Sequence, residues 1–374
     1  MTINIARDPN KVYFERMVMM AMLLVPAAFL QGMRAVVVCV LSVLCSMITD
    51  AVCCLIRRIR YNVKDAAVPF WGLAAGMMMP VSVPVGIVIF SAVMCIVVGK
   101  HLFGGSDNII FSPPAISTAF LIICYPAEML YAPKFGEIYP VFGEFEGVLT
   151  RSTEYSLKLG NVPSKGVVDT LMGVIPGSIG TIYMLVILVC GVCLMLRRTN
   201  SFAAVMSALL TAAVLAFFFP RADFGSGGSW SSVFYELSSG YLLFGTVFLA
   251  AEPYNVPSRL VGKILYGATL GYITMVFRFF GQTEGSFLFA LLITGALGSS
   301  FDRLVDNLVY WKKTYVNSFE KSKTTVQSGG IKLTDTQEIV IPEKYKYNTP
   351  PIDGEIKKHR RKKKKEDDRN DGGT

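Results

Sequence analysis

Residues 250–259 decide the fold, and they read Ala-Ala-Glu-Pro-Tyr-Asn-Val-Pro-Ser-Arg. The apolar run that leads into them, 240–251, is too short to cross a bilayer as a straight helix, which needs about 20 residues. Pro253 and Pro257 each remove a backbone donor and bar the preceding residue from helical geometry. The sequence therefore predicts a membrane helix that ends inside the bilayer. Because lipid cannot satisfy the free backbone groups there, such a break lies inside protein or lines a site.

The same pattern occurs earlier, where residues 72–79 are apolar and 80–84 read Pro-Val-Ser-Val-Pro. Paired interrupted segments in the two halves of a chain are typical of a membrane site built on an inverted repeat. The second break holds an acid and an amide, Glu252 and Asn255, which we take as candidates for an ion path. Acids at membrane depth are costly and usually functional. Capping of the broken helix against Arg259 explains Glu252 equally well.

Composition sets the class of protein. Of the 374 residues, 52% are hydrophobic and only 17% are charged, whereas soluble domains carry about 25% charged residues. We therefore predict an all-α polytopic membrane protein with about ten transmembrane helices, arranged as a 5+5 inverted repeat with two broken helices. The ten segments are expected at 17–33, 35–56, 66–79, 82–99, 113–127, 173–196, 202–220, 234–251, 261–280 and 287–301.

Lysine and arginine flanks predict the orientation. With ten spans, every basic flank falls on one side, including Arg7, Lys11 and Arg16 before the first span and Arg57 and Arg58 after the second. Both termini are therefore predicted to be cytoplasmic. The predicted parts are a cytoplasmic N-terminus, a first membrane half, an outer loop, a second membrane half and a polar, basic cytoplasmic tail, at 1–16, 17–127, 128–172, 173–316 and 317–374.

Charge and cysteine usage suggest no further chemistry. The net charge of +9 comes mostly from a basic run at 357–365, which is read either as attraction to anionic lipid or as a solvated tail; nucleic acid is not an expected partner. The eight cysteines all lie in apolar runs, where cysteine packs as a small hydrophobe. With only two histidines, His101 and His359, no metal site is predicted, and no catalytic residues are evident.

Several motifs follow one another in a fixed order. They are Lys100-His-Leu-Phe-Gly-Gly105, Asn108-Ile-Ile-Phe-Ser-Pro113, Gly173-Val-Ile-Pro-Gly-Ser-Ile-Gly180, Glu252-Pro253, Gly262-Lys263, Glu284-Gly285 and Phe301-Asp302-Arg303. Through them, residues 10–310 resemble the family that includes the RnfD subunit of the Rnf electron-transport complex and the NqrB subunit of the sodium-pumping quinone reductase.

This resemblance implies an integral subunit of a redox-driven ion pump in the bacterial cytoplasmic (inner) membrane. Such a complex passes electrons between ferredoxin and NAD through flavins and iron–sulfur clusters, and it moves sodium ions or protons. The chain has no evident NAD, ferredoxin or iron–sulfur site of its own. The expected partners are therefore the other Rnf subunits, including a second flavin subunit and iron–sulfur subunits, and the chain is not catalytically complete alone.

The resemblance also implies a cofactor site. The family carries FMN, joined through its phosphate to a threonine, in a Ser/Thr-Gly-Ala-Thr motif on the outer side. Thr153 matches that threonine, and Thr150 matches the first hydroxyl position. Arg151 replaces the motif's glycine, so its bulk either hinders a flavin transferase or its charge pairs with the flavin phosphate; Ser152 replaces the alanine. Ser178 is a candidate donor to the cofactor. A non-covalent riboflavin in the membrane is also implied, without assigned ligands.

Two other functions fit the same topology. Two five-span halves around paired breaks also suit a channel or transporter for a small polar solute. A relative that has lost its flavin would serve the complex as a structural subunit. The outer Ser/Thr loop and the ordered motifs favour the redox subunit, and the presence of covalent flavin separates the three.

Overall fold

In a computed structural model, the described part of the chain is mostly helical. The structure describes residues 9–327 except 63, 106–108, 135–139, 142, 144–147, 164, 226–227, 253–255 and 282–283. A π-helical turn, Val97–His101, extends the helix Val85–Ile96. The elements are α1 (Pro9–Ala21), α2 (Leu24–Leu30), α3 (Met33–Ile56), α4 (Ala67–Met77), α5 (Val85–Ile96), α6 (Pro113–Cys124), α7 (Pro126–Leu130), β1 (Tyr131–Pro133), β2 (Leu149–Arg151), α8 (Thr153–Lys158), α9 (Val167–Met172), α10 (Met184–Leu196), α11 (Phe202–Phe218), α12 (Gly228–Ser238), α13 (Leu242–Phe248), α14 (Leu260–Phe280) and α15 (Ser286–Gln327).

The chain separates into two compact units, Met1–Lys312 and Lys313–Thr374. Within the described residues of the first unit, three helical stretches are long and apolar enough to cross a membrane: Pro9–Leu30, Met33–Ile56 and Leu260–Phe280. A bent pair, Ser286–Gly298 with Ser300–Asn307, makes a fourth if it counts as one span. The other apolar helices are shorter. These helices agree with an all-α membrane protein, whereas the number ten and the inverted repeat stay predictions.

Glycines let neighbouring helices approach closely in both halves. A Cβ added at Gly72 of α4 would lie 2.6 Å from Ser46 Oγ of α3. In the second half, a Cβ at Gly267 of α14 would lie 2.2 Å from the carbonyl oxygen of Ala204 in α11. A second glycine follows four residues later in each helix, on the same face. Such small-residue faces bring membrane helices together through close backbone contact.

The first predicted break is confirmed. Helix α4 ends at Met77, and α5 begins at Val85 after the extended Pro84, so the chain is non-helical across residues 80–84. The short helices before the two breaks are the most enclosed elements. Every residue of α13 is buried, as is every residue of α4 except Pro69. The first break therefore lies in the interior of the protein, and so do the residues that lead into the second.

The predicted sixth span is helical only from Met184, so the helix expected for the residues before it was wrong. These residues run past the end of α4, where the amides of Ile179 and Gly180 donate to the carbonyl oxygens of Met79 and Met77 at 2.9 and 2.7 Å. These N–H groups satisfy carbonyl oxygens at the C-terminal end of α4. They are therefore not available for hydrogen bonds within a helix formed by residues 173–183 themselves. The first break is completed by a segment from the other half.

The predicted eighth span, 234–251, is also divided. Helix α12 ends at Ser238 and α13 begins at Leu242. Gly240 lies between them with φ +62°, in the left-handed region that favours glycine. A Cβ there would come 2.3 Å from Glu154 Oε2. The interruption therefore makes room for a side chain of the outer loop.

Part of that outer loop is folded. Strands β1 and β2 pair antiparallel, with Ala132 opposite Thr150. Helix α8 follows at once, and Ser152 holds its N-cap position in an extended conformation without a side-chain hydrogen bond to the helix. The hairpin and α8 carry the Thr150–Thr153 motif back onto the membrane helices.

Candidate functional site

A narrow cleft lies between α8, the 175–182 segment and the α12–α13 interruption. Its lining includes Thr153, Ser178, Tyr241 and Glu284. The structure thus brings together two of the predicted site residues, Thr153 and Ser178, which are far apart in the sequence. The cleft has a volume of about 40 Å³, room for a few water molecules. We refer to it as the Thr153 cleft.

The other two residues predicted for the cofactor, Thr150 and Arg151, lie beside the cleft and do not line it. The Thr150 hydroxyl donates to the carbonyl oxygen of Ala132 at 3.4 Å within the hairpin. The Arg151 guanidinium lies over the rings of Tyr131 and Tyr155, at 4.9 and 4.0 Å from their centroids. Cation–π contacts of this kind hold a partly exposed arginine in place. The long side chain is directed onto its neighbours in the loop.

Glu284 joins the motif to the connection between α14 and α15. Its carboxylate accepts a hydrogen bond of 2.6 Å from the Ser152 hydroxyl, and Arg151 Nη1 lies 3.8 Å from its other oxygen. Only 5% of the residue is exposed. Burial raises the pKa of Glu284 from its ordinary value of 4.5 to about 7, because the charged form loses solvation; the Ser152 hydrogen bond opposes this shift.

The raised pKa predicts a pH dependence of stability. A carboxyl whose pKa is higher in the folded state contributes stability that is fully present below pH 4.5 and is lost as the pH rises through about 7. Glu284→Gln is expected to remove this part of the profile while leaving an acceptor for Ser152. Thermal unfolding in detergent between pH 4 and pH 8 measures it. The exposed Asp223→Asn variant is the control, and equal slopes in both variants would contradict the assignment.

A buried ion-pair network holds α8 on its other side. Arg278 Nη1 donates to Glu236 at 2.8 Å, and Arg278 Nε lies 3.6 Å from Glu154 Oε1. Arg221 forms two hydrogen bonds to the same Glu236 carboxylate. Two arginines and two glutamates leave the network neutral, as buried charges require. Since Glu154 directly follows Thr153, the network fixes the position of the threonine.

Ser178 connects the cleft to the first helix break. Its hydroxyl lies 3.1 Å from the Tyr241 hydroxyl, which donates to the carbonyl oxygen of Met78 at 3.1 Å. The sequence had suggested Ser178 as a donor to a cofactor. In the structure its hydroxyl also takes part in closing the end of α4.

The second break forms a separate centre around Glu252, which is 1% exposed. Arg16 of α1, fully buried, donates to the carbonyl oxygens of Ala251 and Thr199, the latter at 3.3 Å. The two described side chains, Arg16 and Glu252, form no ion pair within 4.0 Å. The positive charge of Arg16 therefore acts on Glu252 without direct contact. The sequence identified Arg16 only as one of the basic residues before the first span; in the structure its side chain lies inside the protein. We call this constellation the Glu252 site.

Several buried polar atoms of the Glu252 site lack a partner among the described residues. They include Glu252 Oε1 and Arg16 Nε and Nη1; the side chains of Trp71 and Ser112 face the Glu252 carboxylate as donors. Buried polar atoms are almost always satisfied by protein, water or an ion. Both halves of the chain therefore contribute to a polar interior at the second break.

Two other expectations concern this break. Asn255 lies outside the described residues. Arg259 does not cap the helix against Glu252, because its guanidinium pairs with Asp306 on the surface. Just before α14, the Asp302 carboxylate accepts a hydrogen bond from the Ser258 amide at 3.0 Å.

Arg16 and Arg278 are the buried charges at the two candidate sites that the sequence reasoning missed. Arg278 is the one charge in α14 after Lys263, and Arg16 directly precedes the apolar end of α1; charges next to or within apolar segments mark functional or paired sites. That signal was available from the sequence. Their partners were not, because Glu154, Glu236 and Glu252 lie on distant elements.

Comparison with known proteins now adds to the geometry. The chain matches the model of the NQR2, RnfD, RnfE family over residues 3–310. The B subunit of the Na⁺-translocating NADH-quinone reductase of Pseudomonas aeruginosa is 26% identical over 234 residues, which cover 62% of this chain and 56% of the relative. The chain thus spans little more than half of that relative.

A second relative is covered more completely. The D subunit of the ion-translocating oxidoreductase complex of Halorhodospira halophila is 24% identical over 309 residues, which cover 75% of this chain and 86% of the relative. The family match takes in the outer hairpin, the Thr153 cleft and both helix breaks. The chain belongs to the NQR2, RnfD, RnfE family.

Proposed function

We propose that this chain is a membrane subunit of an Rnf-type, ion-translocating ferredoxin:NAD oxidoreductase, with FMN joined by a phosphodiester to Thr153. The observation that carries the proposal is the convergence of Thr153 and Ser178 on one cleft. The names of the relatives, subunits of ion-translocating oxidoreductases, support the same assignment.

The residues of the Thr153 cleft fit the linkage better than the flavin ring. A cleft of about 40 Å³ accommodates the phosphodiester, whereas the three-ring isoalloxazine requires space at its mouth. Arg151, two residues before the attachment point, supplies a cation that can turn from the tyrosine rings to the phosphate. FMN, when bound, supplies one- and two-electron transfer. The protein's own part is to anchor it through Glu154 and Ser152.

Burial of Thr153 has a consequence for how the cofactor is attached. Only 8% of the residue is exposed in the folded chain, so a flavin transferase has no access to the hydroxyl in this conformation. Modification then requires the hairpin and α8 to open, or it takes place before they pack. The contacts that close the segment are those of Ser152 and Arg151 to Glu284 and of Glu154 to Arg278.

Intact mass measurement tests the cofactor. The wild-type chain, co-produced with a flavin transferase, is expected to be heavier than its sequence by one FMN minus water and to show flavin fluorescence in a denaturing gel. Thr153→Ala is expected to lose both signals, whereas Ser156→Ala, in the same helix but outside the cleft lining, retains them. An unmodified wild type would contradict the covalent site. The proposal of a structural subunit or of a solute transporter would then take its place.

The Glu252 site supports an ion-coupling role for the same subunit. An ionisable group at a helix break, with buried polar atoms around it, has the features of a membrane ion or proton site. The transported ion under this proposal is a sodium ion or a proton, and the electrons are exchanged with flavin and iron–sulfur subunits of the complex. A non-covalent riboflavin remains part of the proposal without assigned ligands.

A further inference from the structure

A second cavity lies apart from the Thr153 cleft and the Glu252 site, on the face that carries Arg57 and Arg60. It has a volume of about 390 Å³. Three side chains of its lining, Asp50, Cys54 and His101, offer the atom types that bind transition metals. Their ligand atoms all lie within 4.8 Å of one another. We call this group the Asp50 cluster.

The fold brings the cluster together through two local features. Asp50 and Cys54 are four residues apart on α3, so they share one face of the helix. His101 ends the π-helical turn that follows α5, and such turns often place functional side chains. Asp50 and Cys54 are 2% and 7% exposed, so little water competes with them for a bound ion. The cavity nevertheless gives an ion access to the cluster.

In the structure, the side chains of the cluster bond to one another and to their neighbours. His101 Nε2 lies 2.8 Å from Asp50 Oδ1, and Arg57 Nη1 lies 3.2 Å from His101 Nδ1. Because a guanidinium only donates, Nδ1 is the acceptor and Nε2 carries the proton toward Asp50. Lys100 bridges Asp50 and Asp65 at 2.9 and 3.1 Å.

We propose that the Asp50 cluster is a binding site for a divalent transition metal ion of the Zn²⁺ class. A carboxylate oxygen of Asp50, the thiolate of Cys54 and Nε2 of His101 would be the ligands, and the fourth position faces the cavity. Three protein ligands with one open position are the pattern of accessible zinc sites. Mixed nitrogen, sulfur and oxygen donors disfavour Mg²⁺ and Ca²⁺, which prefer oxygen alone.

Protons and charges balance in this binding step. Cys54 releases its thiol proton, and the imidazole proton moves from Nε2 to Nδ1. Arg57, which is exposed, turns away from Nδ1. The carboxylate and the thiolate then neutralise the metal ion, while Lys100 keeps its ion pair with Asp65. The metal thus competes directly with the Arg57 hydrogen bond, and this competition makes the proposal testable.

Cobalt titration of the purified full-length chain is the test, because Co²⁺ bound to a thiolate gives a charge-transfer absorption band. The wild type is expected to bind one equivalent with this band. Cys54→Ser is expected to lose the band, whereas the adjacent Cys53→Ser, outside the cluster, keeps it. His101→Gln should weaken binding at least tenfold, since even partners outside the ligand shell cost about 10–100-fold. Arg57→Gln should tighten it.

Zn²⁺ competition measures the affinity of each variant, and size-exclusion chromatography confirms that each is folded. An unchanged band in folded Cys54→Ser, or equal loss in Cys53→Ser, would overturn the proposal. So would the absence of binding by both the wild type and Arg57→Gln, since the latter removes the competing donor. The readout is independent of flavin and of electron transfer.

Discussion

Arg278→Met is expected to destabilise the folded protein by about 3–5 kcal/mol, the cost of removing one partner from a buried ion pair. Arg278 is 3% exposed and donates to Glu236 and to the carbonyl oxygen of Ser239, each at 2.8 Å. Its loss leaves Glu154 beside Thr153 as a buried carboxylate without a counter-charge. Flavin attachment to Thr153 is expected to fall as well. Thermal unfolding in detergent and intact mass give the two readouts.

Arg197→Met is the matched control. Arg197 is also near the end of a membrane helix and pairs with Glu15 at 3.1 Å, but its side chain is 57% exposed. Exposed pairs contribute about 0–1 kcal/mol. Equal losses of stability in the two variants would show that the Arg278 network is no stronger than a surface pair. An unchanged flavin content in Arg278→Met would show that the network does not position Thr153 for flavin attachment.

The second large effect is expected at the Glu252 site, where a double-mutant cycle applies. Arg16→Met leaves the carbonyl oxygens of Ala251 and Thr199 without their donor, and each single variant, Arg16→Met or Glu252→Leu, leaves one buried charge unbalanced. Each variant should cost about 1–3 kcal/mol. The double variant removes both charges, so its cost should fall short of the sum by about 0.5–3 kcal/mol. Unfolding of the four proteins measures the coupling, and strict additivity would contradict it.

Glu252→Gln separates the structural role of this carboxyl from an ion-path role. It keeps the shape and removes the charge. Under the proposed function, the assembled complex with this variant retains the FMN mass on Thr153 and loses ion translocation driven by electron transfer. Normal translocation would leave Glu252 with a structural role alone. A variant without its FMN would instead indicate that the break and the outer cleft are coupled.

The sequence predicted those features of the fold that depend on local chemistry. Prolines 80 and 84 exclude a continuous helix across residues 80–84, and the paired prolines at 113 and 114 begin one. The membrane class followed from composition. Thr153 was found by resemblance, and its position beside Ser178 agrees with a shared role that neither residue reveals by itself.

The features that were missed depend on contacts between distant elements. The residues around Ile175, Ile179 and Ile182 are largely apolar, but the amides of Ile179 and Gly180 bond to carbonyl oxygens at the end of α4 instead of forming a helix of their own. Arg16 counts as a cytoplasmic flank by its position in the sequence, but in the fold it is fully buried near Glu252. The Asp50 cluster has no sequence motif, because a π-helical turn brings His101 to α3.

The way in which α4 ends has a consequence for biogenesis. Its last carbonyl oxygens are satisfied by the amides of Ile179 and Gly180 and by the hydroxyl of Tyr241. A nascent chain that has emerged only as far as α6 therefore lacks the donors for a helix end already inserted in the bilayer. Final packing of the first half waits until the ribosome has delivered Tyr241. Until then, the insertion machinery or another polar partner must shield the α4 terminus.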